Sequence, residues 1–386
     1  MVPRAEIERR LAAFQEELRG GGLDGALVVE QTDLYYLSGT AQSAHLVVPA
    51  EGEPALLVRR DLARAREESS LDRVEHLASL RDLPGALRDA GLASGRLGLE
   101  LDVLPAALYL GYARRLEGFE LADCSASLRR LRSVKSVWEL EQMRAAAAQI
   151  APIGAWVGEV AQEGMTEVEL AAEVDRRLRV HGHQGVVRFR GFNQEMTLSS
   201  ILAGPSAAVA GAAETPIVGP GTSPIVPRGV SRRPIRRGEP IVVDVVGAHE
   251  GYLADQTRTY SLGPLAVQFR APLACAREIL ERAAAELAPG RTPSALYDAA
   301  AGWAGDLAER FMGGVRFLGH GLGLEIDELP VLAPGFDEPL LPGNVLAVEP
   351  KFLFPGEGAV GIENTYVVTE NGAEQLTSAP VDLVEL

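Results

Sequence analysis

Short apolar runs separated by amphipathic segments dominate the first third of the chain. A helical pattern covers residues 4–20, and apolar runs of strand length follow at 25–30, 45–50, 55–59 and 96–100. Segments rich in Arg and Glu, with helical spacing, lie between these runs. Such alternation of strands and helices is typical of an α/β domain. We therefore predict an α/β fold here, with Tyr35 and Tyr36 packed in a strand.

From residue 128 onward the pattern changes to long helices followed by hairpins. Helical periodicity covers 128–156, where Ser136 is a predicted N-cap and Glu139 its capping-box partner. Further helices are predicted at 166–181, 267–287 and 293–311, and strongly β-like hairpins follow the helix pairs. We predict two domains, an α/β domain over 1–132 and an α+β domain over 133–386.

The composition narrows the possible partners. The 386 residues are 47% hydrophobic and 23% charged, as in globular proteins, and the formal net charge is −16. This negative charge disfavours nucleic acid and anionic membrane surfaces and favours hard cations. Of the 37 Lys and Arg residues, only Lys135 and Lys351 are lysines, a bias that we attribute to genome composition.

The sequence contains no recognisable export or membrane signal. Cys124 and Cys275 match no metal or disulfide spacing, and the charged N-terminus lacks the apolar region of a signal peptide. The least charged stretch, 196–227, contains only Glu214, but its Gly and Pro residues would break a spanning helix and predict a strand with a long loop. We predict that the protein is cytoplasmic and therefore lies in a reducing environment.

Two aspartates interrupt apolar strands in the first predicted hairpin. Asp244 lies within 241–247 and Asp255 within 251–260, on either side of a turn around residues 249–251. The midpoint of the two aspartates falls in this turn, so we predict that they face each other across the ladder. Two carboxylates that close require a shared proton or a cation. The alternative is that Asp255 is a turn residue and Asp244 pairs with Arg258.

A second predicted hairpin repeats this arrangement with glutamates. Glu349 and Glu363 are symmetric about Gly356 in a Pro-Gly-Glu-Gly turn, and His320 lies between the hairpins in a Gly-His-Gly loop. A lone histidine in such a loop is more often structural. Together with four strand carboxylates, however, it completes a donor set suited to two divalent cations such as Mn, Co or Zn.

The order and spacing of Asp244, Asp255, His320, Glu349 and Glu363 resemble the pita-bread metallopeptidases, in particular the Xaa-Pro aminopeptidase, prolidase and creatinase branch. The residues before about 130 resemble the creatinase-type N-terminal domain. This resemblance implies that Asp244 binds one metal, that His320 and Glu349 bind the other, and that Asp255 and Glu363 bridge both. It further implies a homodimer.

The activity implied by the resemblance is hydrolysis of a peptide or small amide C–N bond. A metal-bridging hydroxide would attack the carbonyl, with Glu349 as the general base. Two alternatives stay open: a creatinase-like hydrolase acting on a small non-peptide substrate, and a noncatalytic binding protein on the same fold.

Several positions depart from the pattern of that branch. Asp327 replaces a second histidine seven residues after His320, Gly361 replaces an arginine, and Lys351 replaces a glycine. No histidine lies within 223–229, where relatives carry one. We predict that Asp327 and Lys351 face the substrate, that Lys351 supplies the missing positive group, and that simple Xaa-Pro dipeptides are poor substrates. Alternatively, Lys351 extends to solvent.

Overall fold

The computed structural model describes residues 1–211 and 215–386, so Glu214 lies outside the described residues. The chain divides into two compact units. The first comprises residues 1–132 and 190–194, and the second comprises 133–189 and 195–386. The strand predicted within 196–227 is present at Ser199–Ala203.

The first unit is a mixed sheet with helices between its strands, which confirms the predicted α/β class. Its sheet order is β4-β3-β2-β1-β5-β6. The elements are α1 (Arg4–Gly20), β1 (Gly25–Val28), α2 (Gln31–Ser38), β2 (Ala44–Pro49), β3 (Ala55–Val58), α3 (Leu62–Glu68), β4 (Val74–His76), α4 (Leu83–Asp89), β5 (Gly95–Leu99), α5 (Ala106–Arg115), β6 (Phe119–Asp123) and α6 (Ser125–Ser133).

Tyr35 and Tyr36 lie in helix α2, so the strand prediction for them was wrong. The Glu30 carboxylate accepts hydrogen bonds from the backbone N–H groups of Thr32 at 2.7 Å and Asp33 at 2.9 Å. These bonds cap the helix start, which apolar patterning does not reveal. Gly39, with a φ of +80°, ends the helix in the left-handed conformation.

A buried carboxyl group joins two strands of the first unit. Glu100 Oε1 accepts hydrogen bonds from the backbone N–H groups of Val29 at 2.9 Å and Glu30 at 3.0 Å. Burial raises the pKa of Glu100 to about 8, and the nearby charge of Asp33 adds to the increase. The protonated form is therefore the one that the folded first unit favours.

The second unit contains three sheets, counted over the described residues, with orders β11-β10-β12-β15-β16, β13-β14 and β17-β9-β8-β7. The elements are α7 (Val137–Ile150), α8 (Ile153–Val160), α9 (Glu167–Val180), β7 (Ser199–Ala203), β8 (Ile241–His249), β9 (Tyr252–Ser261), α10 (Val267–Glu286), α11 (Pro293–Trp303), β10 (Gly319–Gly321), β11 (Glu328–Leu332), β12 (Val345–Val348), β13 (Lys351–Phe354), β14 (Gly358–Gly361), β15 (Asn364–Thr369), β16 (Gly372–Gln375) and β17 (Val384–Glu385).

Most predicted helices of this unit are present, but the last one is shorter than expected. Ser136 and Glu139 form the predicted capping box at the start of α7. Helix α11 ends at Trp303 instead of continuing to 311. Gly305 follows with a φ of +52°, a conformation that glycine adopts readily and that an α-helix cannot contain.

Helix α7 fixes the position of the β8–β9 hairpin. A Cβ atom at Gly247 would lie 2.1 Å from the carbonyl oxygen of Ala146, so only glycine allows this close packing. Gln149 Oε1 accepts a hydrogen bond from the backbone N–H of Ala248, and Gln256 Nε2 donates one to the carbonyl of Ile150. The hairpin that carries two predicted metal ligands is therefore held against a helix by both packing and hydrogen bonds.

Within the part of the chain that the structure describes, no helix combines the length and the hydropathy needed to cross a bilayer.

The buried Glu100 carboxyl group predicts a pH-dependent stability. Its pKa rises from 4.5 to about 8 on folding, so the stabilisation present below pH 4.5 is lost as the pH rises through 8. The side chain in Glu100→Gln cannot ionise, so this variant should lose less thermal stability than the wild type as the pH rises from 4.5 to about 8. Calorimetry over a pH series tests this, with exposed Glu117→Gln as the control. Parallel curves for wild type and Glu100→Gln would contradict the prediction.

Candidate metal centre

The five predicted metal ligands come together inside the second unit. Asp244 lies on β8, Asp255 on β9 and His320 on β10, while Glu349 directly follows β12 and Glu363 directly precedes β15. All of these side chains except that of Asp244, which is partly exposed, are buried. Strands from separate hairpins thus deliver four carboxylates and an imidazole to one place.

The two aspartates do not face each other directly, and that prediction was wrong. Asp244 pairs with Thr257, and Asp255 pairs with Val246. The turn is a two-residue loop, Glu250–Gly251, with φ angles of +48° and +87°, which shifts the pairing from the predicted register. The pairing is shifted by two residues, so Asp244 and Asp255 still lie on the same face of the sheet. They are diagonal neighbours there instead of a directly opposed pair.

The glutamates have the predicted register. The pairs Val348–Asn364 and Lys351–Gly361 bracket Glu349 and Glu363 and place them opposite each other. Between these pairs the ladder is interrupted, because Pro350 has no N–H to donate. The interruption separates β12–β15 from β13–β14 and lies beside both glutamates.

The geometry of these donors fits a cation. One ligand atom from each of Asp255, His320 and Glu363 lies within 4.8 Å of the other two. Among the described residues, Asp244 Oδ1 and Asp255 Oδ1 have no hydrogen-bond partner. Buried carboxylate oxygens without donors are costly unless a cation binds them.

The alternative pairing of Asp244 with Arg258 was wrong. The Arg258 guanidinium donates hydrogen bonds to the backbone carbonyls of Thr257, Glu363, Ala379 and Pro380 and to Asn364 Oδ1. It therefore fixes the backbone at Glu363 without neutralising Asp244.

Lys351 is buried among the carboxylates, so the alternative in which it reaches solvent was wrong. Its side chain is 2% exposed, and Nζ donates to Glu349 Oε2 and, at 3.2 Å, to Glu363 Oε2. Nζ also lies 3.7 Å from Asp244 Oδ2. Burial alone would lower the pKa of Lys351, but these three carboxylates raise it well above its usual value. The raised pKa and the three carboxylate contacts favour the ammonium form of this side chain.

His320 presents one nitrogen to the centre and the other to a carboxylate behind it. Nδ1 lies 3.1 Å from the carbonyl oxygen of Gly321 and 3.3 Å from Asp327 Oδ1, so it carries the proton. Nε2 lies 3.8 Å from Glu349 Oε1 and is the ring nitrogen on the side of the centre. Burial alone would lower the pKa of His320, but the charges of Asp327, Glu349 and Glu363 raise it overall. The structure places Asp327 on the Nδ1 side, half-exposed, and a role for it in substrate binding stays a prediction.

Burial and the neighbouring charges shift the pKa values of the carboxyl groups in different directions. Burial raises the pKa of Glu349 to about 7 and that of Asp244 to about 6, although Lys351 partly offsets both increases. Burial also favours protonated Glu363, but Lys351, His320 and a hydrogen bond from Thr257 lower its pKa overall. A bound divalent cation would favour the ionised form of every one of these groups.

Two supporting contacts were missed from the sequence. Thr257 Oγ1 donates a 2.6 Å hydrogen bond to Glu363 Oε2. Lys135 Nζ donates at 3.0 Å to Glu328 Oε2, whose carboxylate also accepts the backbone N–H groups of Leu324 and Glu325 in the loop after His320. Thr257 could have been suspected because it lies two residues after Asp255 on one strand face, and Lys135 because lysine is so rare in this chain.

Comparison with known proteins identifies the family. Residues 141–370 match the model of metallopeptidase family M24, and residues 10–134 match that of the creatinase/prolidase N-terminal domain. The chain belongs to metallopeptidase family M24. The predicted family, and its metallopeptidase character, are confirmed at this level.

Several relatives of this M24 metallopeptidase match it over nearly their whole length. A probable dipeptidase PepE of Mycobacterium tuberculosis is 31% identical over 97% of this chain and 96% of its own. An Xaa-Pro dipeptidase of Pyrococcus furiosus is 27% identical over 97% and 98%. The crystal structure of dipeptidase PepE from Mycobacterium ulcerans is 28% identical, with a TM-score of 0.80 and 99% coverage of both chains.

Family M24 is metal-dependent, and in this M24 chain the buried group of Asp255, His320 and Glu363 could hold a metal ion. The identity and number of ions, and the assignment of each ligand, remain predictions.

The contact between Asp327 and His320 predicts that Asp327 positions a metal ligand. Removal of such a partner typically weakens metal binding about 10- to 100-fold. We expect Asp327→Ala to lose Mn²⁺ affinity by that order, and Asp327→Asn to lose less because its amide oxygen still accepts from Nδ1. Calorimetric titration of the metal-free protein with Mn²⁺ provides the measurement. Equal affinities for wild type and Asp327→Ala would show that Asp327 has no part in orienting His320.

Proposed function

We propose that this M24 metallopeptidase hydrolyses the peptide bond of short peptides, dipeptides among them. The observation that carries the proposal is the buried donor group of Asp255, His320 and Glu363, which lies beside the Glu349 carboxylate. The relatives named dipeptidase and Xaa-Pro dipeptidase support the size of the substrate.

The cation would be Mn, with Co or Zn as alternatives. Asp255, His320 and Glu363 would bind it, and Asp244 and Glu349 complete the predicted ligand set. Carboxylate oxygens with one imidazole suit these ions. When bound, the metal makes water acidic enough to ionise near neutral pH and polarises the scissile carbonyl.

Glu349 is the proposed general base. Its carboxylate is buried, and Oε1 faces His320 Nε2 while Oε2 accepts from Lys351. A carboxylate held in this way can take a proton from the attacking water at Oε1 and deliver it to the leaving amine nitrogen. Lys351 and Thr257 hold the two glutamates in fixed orientations through their hydrogen bonds.

The placement of the enzyme in the cytoplasm and its assembly as a homodimer are also part of this proposal. The cytoplasmic placement rests on Cys124 and Cys275, which match no disulfide spacing, and the homodimer rests on the family resemblance.

Substitution of the base tests the mechanism. We expect Glu349→Gln to lose several orders of magnitude in kcat on a dipeptide substrate with Mn²⁺ present, because the amide cannot accept the proton. Glu357→Gln, which alters an exposed acid in the turn of the same hairpin, is the control and should keep wild-type turnover. Turnover of Glu349→Gln within about threefold of wild type would remove Glu349 from the mechanism.

The acidic centre also predicts the substrate preference. The second histidine of the family branch is replaced by Asp327, and no histidine precedes Asp244 within 223–229, so two groups able to stabilise a developing oxyanion are missing. We expect lower kcat/KM on Xaa-Pro dipeptides than on other dipeptides, and, at saturating Mn²⁺, a gain on Xaa-Pro substrates in Asp327→His. A panel of both dipeptide classes measures this. If the wild type hydrolysed only Xaa-Pro dipeptides efficiently, this prediction would be wrong and the protein would have ordinary prolidase specificity.

A further inference from the structure

We propose that the Lys351 ammonium group takes the place of one of the two metal ions predicted from the sequence, so that the centre binds a single divalent cation. The inference deepens the proposed metal-dependent function and rests on its metal centre. It does not depend on which peptide is the substrate.

The five predicted ligands divide into two sets according to their contacts. Asp255, His320 and Glu363 present ligand atoms within 4.8 Å of one another, which is the spacing of donors around one ion. Asp244 and Glu349 are outside that group, and both are contacted by Lys351 Nζ. One oxygen of each ligand that the cation group leaves out therefore already has a positive partner, and the same ammonium group also contacts Glu363.

The ammonium group occupies the space that a second ion would need. Metal–oxygen distances for ions such as Zn²⁺ are about 2.0–2.2 Å, so an ion between Asp244 and Glu363 would bind carboxylate oxygens directly. Lys351 Nζ lies 3.2 Å from Glu363 Oε2 and 3.7 Å from Asp244 Oδ2, within ion-pair distance of both carboxylates. An ion there would have to displace the ammonium group or lie beside it at repulsive distance.

The fold holds the lysine in this position. Its side chain is buried, and its backbone N–H lies 3.4 Å from Met312 Sδ. The stem crosses Gly361 on the paired strand, where a Cβ atom would lie 2.3 Å from Lys351 Cγ. Glycine at 361 thus provides the space that the lysine needs.

The choice of lysine is informative because this chain uses arginine almost everywhere else. Lys351 and Lys135 are the only lysines among 37 basic Lys and Arg residues, and both are buried and paired with glutamates. An ammonium group is a compact point charge, closer in shape to a metal ion than the planar guanidinium is. One divalent ion and one ammonium group together supply three positive charges for the four carboxylates.

Metal counting on the 386-residue chain tests the inference without any activity assay. The protein is stripped with a chelator, dialysed against Mn²⁺, and measured by elemental analysis and by electron paramagnetic resonance. We expect about one Mn²⁺ per chain with the signal of an isolated ion in the wild type, and about two with an exchange-coupled signal in Lys351→Met. Lys351→Ala serves as a second variant, and Arg282→Met, which removes an exposed positive charge on helix α10, should keep the wild-type count.

Two coupled Mn²⁺ ions in the wild type, or a single ion in both Lys351 variants, would overturn the inference. A wild type that binds no Mn²⁺ would overturn both the inference and the proposed function. Hydrolysis of dipeptides by a protein with two ions would refute only the inference. One ion per chain without hydrolysis of any peptide would refute only the proposed function.

Discussion

The burial of four carboxylates around one ammonium group is the constraint on which the second unit depends. Asp255, Glu349 and Glu363 are almost inaccessible to solvent, and Asp244 is only partly exposed. Like charges at this density repel one another strongly in a protein interior, and the single Lys351 ammonium offsets only part of that repulsion. The carboxylate oxygens without donors mark where a cation contributes to the stability of the site.

The surrounding architecture keeps the four carboxylates together despite their mutual repulsion. Helix α7 packs against Gly247, the Arg258 guanidinium binds the backbone at Glu363, and Thr257 fixes the glutamate side chain. The break in the ladder at Pro350 lies directly beside Glu349. Each contact acts on the backbone or on one oxygen, so the ligands are positioned before any ion binds, as precise metal sites require.

The chain combines a family framework with local departures that belong together. Family M24 provides the fold and metal dependence, and the five predicted ligands have the order and spacing on which the family resemblance rests. Lys351 and Gly361, two positions at which the family resemblance predicts a departure, are directly paired across strands β13 and β14. The lysine stem needs the space above a glycine, so the two residues form one packing unit.

The sequence by itself determined the fold class and the family, and it singled out the five predicted ligands that the structure brings together, because strand periodicity, capping residues and acid spacing are local signals. It also determined the register of Glu349 and Glu363, since their turn is symmetric about Gly356. Only the tertiary structure decided that Asp244 and Asp255 are diagonal, because the positive φ angles at the Glu250–Gly251 turn moved the pairing. It alone placed Asp327 behind His320 and Lys351 between the carboxylates. The direction of a long side chain is set by what packs around it, and a position in the sequence leaves that direction open.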